Sequence, residues 1–226
     1  MKLPRPRLAI LSCLFAGLLS AGSLFAQAPA SGSPAGPSGQ VGHAGHLPAG
    51  SRAQVSTQDQ MSPAHKYFGD VKLIDQDGRE RRLYSDLLQG KSVVINVVFT
   101  TCVSACPAMT GAFAKIQDHL GDRLGKDVSL ISISIDPVTD TPAKLKEYAG
   151  RFKARPGWYF LTGSKANVDE ALKKLGQYVE DKENHLNLFL IGNERTGLWK
   201  KAFGLASPDQ LFPIVDSVID DAGSKG

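Results

Sequence analysis

The stretch Val93-Val94-Ile95-Asn96-Val97-Val98-Phe99 runs into Thr100-Thr101-Cys102 and on to Val103-Ser104-Ala105-Cys106-Pro107, and its reading decides the fold. Seven nearly unbroken β-branched and aromatic residues are what a strand needs when both of its faces are buried. From Pro107 the period changes: Met109, Phe113, Ile116 and Leu120 recur at helical steps of three and four. A buried strand that hands over to an amphipathic helix is the unit of an α/β fold.

The same alternation continues along the chain. Val128–Ile135 reads as a second buried strand, stopped by Asp136-Pro137. Asp140 or Thr141 then caps a helix with Pro142 at its first position, running to about Phe152. Trp158–Leu161 predicts a short strand, and Ser164 caps a helix through Leu175. Leu188–Ile191 and Leu198–Phe203 predict a hairpin over the Gly192–Gly197 turn. A terminal helix runs from Ser207-Pro208 to Ile219, with a kink or restart expected at Phe212-Pro213. Before all of this, Asp75-Gln76-Asp77-Gly78 is a turn signal that predicts an N-terminal hairpin. The expected architecture is a central mixed β-sheet flanked by helices.

This domain is expected over 67–226, behind two segments of different character. Residues 1–26 begin with Lys2, Arg5 and Arg7, continue as an uncharged apolar run from Leu8 to Phe25, and end on Ala26. That is the layout of a secretory signal peptide, or of an N-terminal membrane anchor if it is not cleaved. Cys13 lies within the apolar run and reads as part of the signal. Residues 27–66 are rich in Ala, Pro, Gly and Ser without one aromatic side chain. Such a segment cannot offset its own ordering entropy and reads as a disordered linker. His43 and His46, with His65 further on, can be either a weak metal-collecting pair or polar filler, and the linker setting favours filler.

Charge excludes one function class. The net charge of +4 arises outside the domain, because Tyr67–Gly226 holds 21 basic and 21 acidic residues. A neutral body offers no electrostatic footprint for nucleic acid. Export matters to the chemistry, since thiols tend to oxidise outside the cytosol.

The domain has two cysteines, Cys102 and Cys106, both at the strand-to-helix junction. With the helix starting near Cys102 they would share one face of its first turn, ~6 Å apart at Cα, within disulfide range. A helix N-terminus stabilises thiolate, so the pair suits either redox exchange or soft metal ligation. A redox exchanger usually separates its cysteines by two residues; here there are three. A third ligand would have to come from elsewhere. His119 lies late on the following helix, ~20 Å from the thiols at ~1.5 Å per residue, and cannot join them. His185, in the polar run Asp181-Lys182-Glu183-Asn184-His185, can be either a ligand folded back over the sheet or a surface loop residue. Two thiolates and one imidazole form a soft set that favours Cu(I) and can also hold Cu(II). Structural zinc would want a fourth protein ligand, and none is evident. A peroxide-reducing site would want Thr and Arg around the cysteine; Thr101 is present, but no Arg lies near the motif.

Four stretches, in order, resemble the SCO/SenC family of copper chaperones: FTTCVSACP at Phe99–Pro107, SISIDPVTDTP at Ser132–Pro142, WYFLTG at Trp158–Gly163, and His185 with the apolar LFLIG after it. The resemblance covers essentially all of Tyr67–Ile219. It implies a thioredoxin-like fold and one copper ion held by Cys102, Cys106 and His185. It also implies service in assembling the copper centre of cytochrome c oxidase, with the copper-centre subunit of that oxidase as partner. Thiol-disulfide exchange on a partner's copper-ligating cysteines is the alternative, with Cys102 and Cys106 as the redox pair and a thiol reductant or copper donor as a further partner. Family members are exported or held at a membrane, which here would mean the periplasm or the outer face of the inner membrane. The chain departs from the family pattern at Val103, where Pro is frequent, and at Asn184 and Leu186, which replace the usual Asp and Ser beside the histidine. Asp136 matches the family's acidic residue and can either lie near the metal or serve only as a turn former before Pro137.

Overall fold

The computed structural model describes residues 61–223. The apolar segment 1–26, the histidines His43 and His46 and most of the 27–66 linker lie outside the described residues. Among those described, no helix is long and apolar enough to cross a membrane.

Seven strands form one mixed sheet, as expected. They are β1 (Lys72–Asp75), β2 (Glu80–Arg82), β3 (Ser92–Val98), β4 (Val128–Ser134), β5 (Trp158–Thr162), β6 (Leu188–Asn193) and β7 (Leu198–Phe203). Their spatial order is β2-β1-β5-β4-β3-β6-β7. Strands β3, β4 and β5 are parallel, and the two hairpins flank them antiparallel. The central pair is in register from Ser92↔Val128 to Val98↔Ser134, and every residue of both strands is buried. This is why both read as predominantly apolar runs, broken only by small or hydrogen-bonded polar residues such as Ser132 and Asn96.

Helices cover both faces. On one side α2 (Ala105–Leu120), α3 (Pro142–Arg151) and α5 (Pro208–Ile219) bury Phe113, Trp158, Phe189 and Val94. On the other, α1 (Pro63–Phe68), α4 (Lys165–Lys174) and a π-helical turn at Leu83–Leu88 bury Leu87, Leu172, Ile95 and Val97. Successive β3 side chains thus feed opposite cores, as strand geometry requires.

Two expectations change, and one alternative is decided. Helix α1 begins inside the stretch read as linker, with the Ser62 side chain accepting from the His65 backbone and Phe68 buried beneath it. Its signals, Ser62 and Pro63, are a cap and a first-turn proline. Helix α5 runs through Pro213 without a break in its assignment. The cap of α3 is Thr141, whose hydroxyl accepts from Lys144 N, and Asp140 turns inward instead.

Candidate metal centre

The parallel strands β3 and β4 end together, and the loops leaving them meet at that end of the sheet.

Helix α2 starts at Ala105, not near Cys102. Proline explains the delay. A helix begun at Cys102 would need an N–H from residue 107, which Pro107 lacks; starting at Ala105 places Pro107 in the first turn, where no N–H is required. Cys102 therefore sits in the preceding loop, where its N–H donates to the Phe99 carbonyl at 3.1 Å. The tight turn still brings the two sulfurs together. Phe99, Cys102 and Cys106 form one small buried cluster against Ile135. Cys106 is 0% exposed and Cys102 8%, so both thiols lie beneath the surface.

Their environments pull them apart. For Cys102, burial alone would raise the thiol, but hydrogen bonds from the Ser104 hydroxyl (3.5 Å) and from the Cys106 backbone outweigh it and hold it below the ordinary range. For Cys106, burial and then the neighbouring Cys102 push the thiol up to about 12. One sulfur is poised to ionise while the other stays protonated.

His185 comes to the thiols. Its Nε2 lies 3.6 Å from Cys106 Sγ, while Nδ1 is 2.9 Å from the Lys182 carbonyl. A carbonyl can only accept, so the proton resides on Nδ1 and the Nε2 lone pair faces the sulfur. The ring also stands edge-on to Phe99, with centroids 5.5 Å apart. A short 3-10 turn at Lys182–Asn184, capped by the Asp181 side chain, aims the ring this way. The three donors are neighbours, but among the described residues no trio of His, Cys, Asp or Glu is already spaced to hold a metal ion. The donor set nonetheless fits copper: two sulfurs and an imidazole whose lone pair is free of internal hydrogen bonding to backbone.

Lys182 and Asp140 carry roles the sequence did not reveal. The Lys182 ammonium lies 2.7 Å from the Asp136 carboxylate and 5.1 Å above the Phe99 ring. The same residue's carbonyl orients His185, so Asp136 clamps the histidine loop to the end of β4. Burial would raise Asp136, but hydrogen bonds from Lys182 and Thr139 hold it below the usual carboxylate range. Asp140 is fully buried and accepts from Thr100 N (3.1 Å), the Thr100 hydroxyl and the Ser134 hydroxyl (2.6 Å). It ties the cysteine loop to the end of β4. Its position in Ser132–Pro142 was visible, but only burial separates a hub from a helix cap.

Other candidates go elsewhere. His65 bonds Asp70 at 3.2 Å and stacks on Tyr84. His119 pairs with Asp216 at 2.8 Å and stacks on Phe212, joining α2 to α5. Arg151, distant in the chain from the cysteines, does line a cavity with Thr100 and Thr101, where its guanidinium bonds Glu147 at 2.6 Å.

Comparison with known proteins places the chain in a family. A family model described as SCO1/SenC matches residues 59–197. A SCO1 protein homolog from Bacillus subtilis is 33% identical over 138 residues, covering 60% of this chain and 65% of that one, so the chain spans less than two thirds of that relative. The solved structure of BsSco is described as revealing a disulfide switch in a member of the Sco family of cytochrome c oxidase assembly proteins. It is 29% identical with a TM-score of 0.56, covering 66% of this chain and 91% of that one. Yeast Sco1 with copper bound is 25% identical with a TM-score of 0.52, covering 67% and 89%.

Proposed function

The chain belongs to the SCO1/SenC family, and from that premise we propose that it is a copper-binding chaperone for the copper centre of cytochrome c oxidase, holding one copper ion through Cys102, Cys106 and His185. The approach of His185 Nε2 to Cys106 Sγ, at 3.6 Å, carries the reading. Copper supplies a soft, thiophilic cation that the three donors can share and release. The chain's own part is to present the donors. Nδ1 keeps its proton on the Lys182 carbonyl, Nε2 stays free, and Cys102 ionises ahead of Cys106. Ligation requires both thiols to give up protons, which couples metal uptake to proton release. The partner would be the oxidase subunit that houses the copper centre. Residues 1–26 would export the chain or anchor it on the outer face of the inner membrane, and 27–66 would tether the domain.

Titrating the reduced chain with Cu(I) tests this reading. Saturation at one equivalent is expected, and the His185→Ala chain should lose that site while still forming the Cys102–Cys106 disulfide. A reduced chain with no saturable site at one equivalent would overturn the proposal.

The two adjacent thiols with divergent ionisation also favour a second reading, in which Cys102 and Cys106 cycle between dithiol and disulfide on a partner's cysteines. The two electrons taken from the dithiol would reduce the partner's disulfide. Reduction of an oxidised oxidase-subunit peptide by the reduced chain is the measurement that tests it.

A further inference from the structure

Seven large hydrophobic side chains are exposed among the described residues, and five of them stand around the thiols and His185. Val103, 94% exposed, follows Cys102 directly, and Leu186 follows His185. Val138, 82% exposed, rides on the loop whose Asp136 clamps Lys182. Phe203 sits opposite Leu188, where β6 begins just after His185. Leu205 follows Gly204, whose N–H bonds the Asn187 carbonyl and where an added Cβ would lie 2.7 Å from the end of Met109, three residues along α2 from Cys106. Four separate loops thus place apolar side chains at one end of the sheet. Packing does not require this, since none of the five belongs to a buried cluster. An apolar collar rimmed by polar residues marks a contact surface.

The collar also has a sign. Glu180, Asp181 and Glu183 are exposed on the histidine loop, and the one ammonium among them, Lys182, is committed to Asp136. The two sulfurs at the centre are buried, so a group that exchanges with them must be delivered by something that seats on the collar.

We propose that this collar is the docking face for a protein partner that presents its own thiols between apolar side chains, with lysine or arginine beside them. The inference rests on the copper-chaperone reading for the meaning of those thiols, but the docking itself needs no metal. Apolar contact supplies the affinity, and the carboxylates of the histidine loop steer the cationic partner and set its orientation.

The test uses the full, metal-free chain under reducing conditions. The probe is a fluorescent peptide with two serines, in place of cysteines, three residues apart, flanked by leucine and phenylalanine and ending in lysines. Saturable binding by fluorescence anisotropy is expected. The Val138→Ser/Phe203→Ser/Leu205→Ser chain should bind at least roughly tenfold more weakly. A peptide with glutamates for the lysines should lose a similar factor on the parent chain. Absence of binding by the parent, an unweakened triple variant, or equal affinity for both peptides would each overturn the proposal. Should the triple variant not fold, Val138→Ser alone decides, because a side chain that exposed contributes nothing to the core. Cu(I) stoichiometry of the triple variant, expected to stay at one, separates failure of docking from failure of the copper reading.

Discussion

Cys106 Sγ and His185 Nε2 stand 3.6 Å apart although 79 residues of chain separate them. Burial and the neighbouring Cys102 keep the Cys106 sulfur a thiol. Cys102, one turn away and nearer the surface, is instead held toward the thiolate by Ser104 and the Cys106 backbone. Iodoacetamide added to the reduced, metal-free chain near pH 8 should therefore label Cys102 first and leave Cys106 unmodified. Mass mapping of the alkylated peptides checks the order; equal labelling of both would contradict the assignment. Because Cys106 rises to about 12 in the folded chain, its selectivity should persist as pH climbs past the ordinary thiol range.

The clamp between Lys182 and Asp136 predicts a metal phenotype without a lost ligand. Lys182→Ala and Asp136→Asn should each weaken Cu(I) affinity by about 10–100-fold, while stoichiometry stays at one. Lys182→Arg should restore most of the loss. The double substitution should cost little more than either alone, since the two groups act as one contact. Competition against a Cu(I) chelator reads all four chains, and additive losses would show that the residues act separately.

Gly157 predicts a stability effect remote from the site. It has φ +99°, and a Cβ there would lie 2.5 Å from the Gly125 nitrogen and 2.6 Å from its Cα. Backbone cannot yield as a flexible side chain does. Gly157→Ala should destabilise the domain by roughly 2–4 kcal/mol, from left-handed backbone strain and overpacking together. Urea unfolding followed by tryptophan fluorescence measures it, since Trp158 is the next residue and fully buried.

Asp86 sets part of the acid response. Hydrogen bonds from the Arg82 side chain and backbone lower its carboxyl from 3.8 to about 2. A carboxyl depressed by folding stabilises the native state above its unfolded value, and that contribution is lost as pH falls from about 4 through about 2. The melting temperature should drop over that window, and Asp86→Asn should make the drop shallower. A variant with the unchanged profile would assign the acid response elsewhere, with Asp70 and Asp75, also lowered, as the next carboxylates to replace.

Much of the fold was legible because its strongest signals are local. A strand buried on both faces is apolar at nearly every position, and Val93–Val98 is, its one polar residue Asn96 accepting from the Ser132 hydroxyl. Caps and breakers did the rest: Ser164 accepts from Asn167 N, and Pro142 opens α3 as read. The start of α2 was misplaced by three residues because the missing N–H of Pro107 was not counted against a helix begun at Cys102. Helix α1 was hidden by its setting at the end of a low-complexity run, where six residues carry little periodicity.

The amino-acid order by itself determined which groups could do chemistry here: two thiols on one strand-to-helix turn, because their spacing is a property of consecutive backbone units. It also carried the motifs that identify the family. The partner of those thiols was decided by the tertiary structure alone. His185 and Lys182 lie on one loop, Asp136 and Asp140 on another and the cysteines on a third, and only the parallel pairing of β3 with β4 and the antiparallel return of β6 bring those loops to one end of the sheet. Such meetings depend on burial and on chain crossings tens of residues apart, which no local pattern encodes.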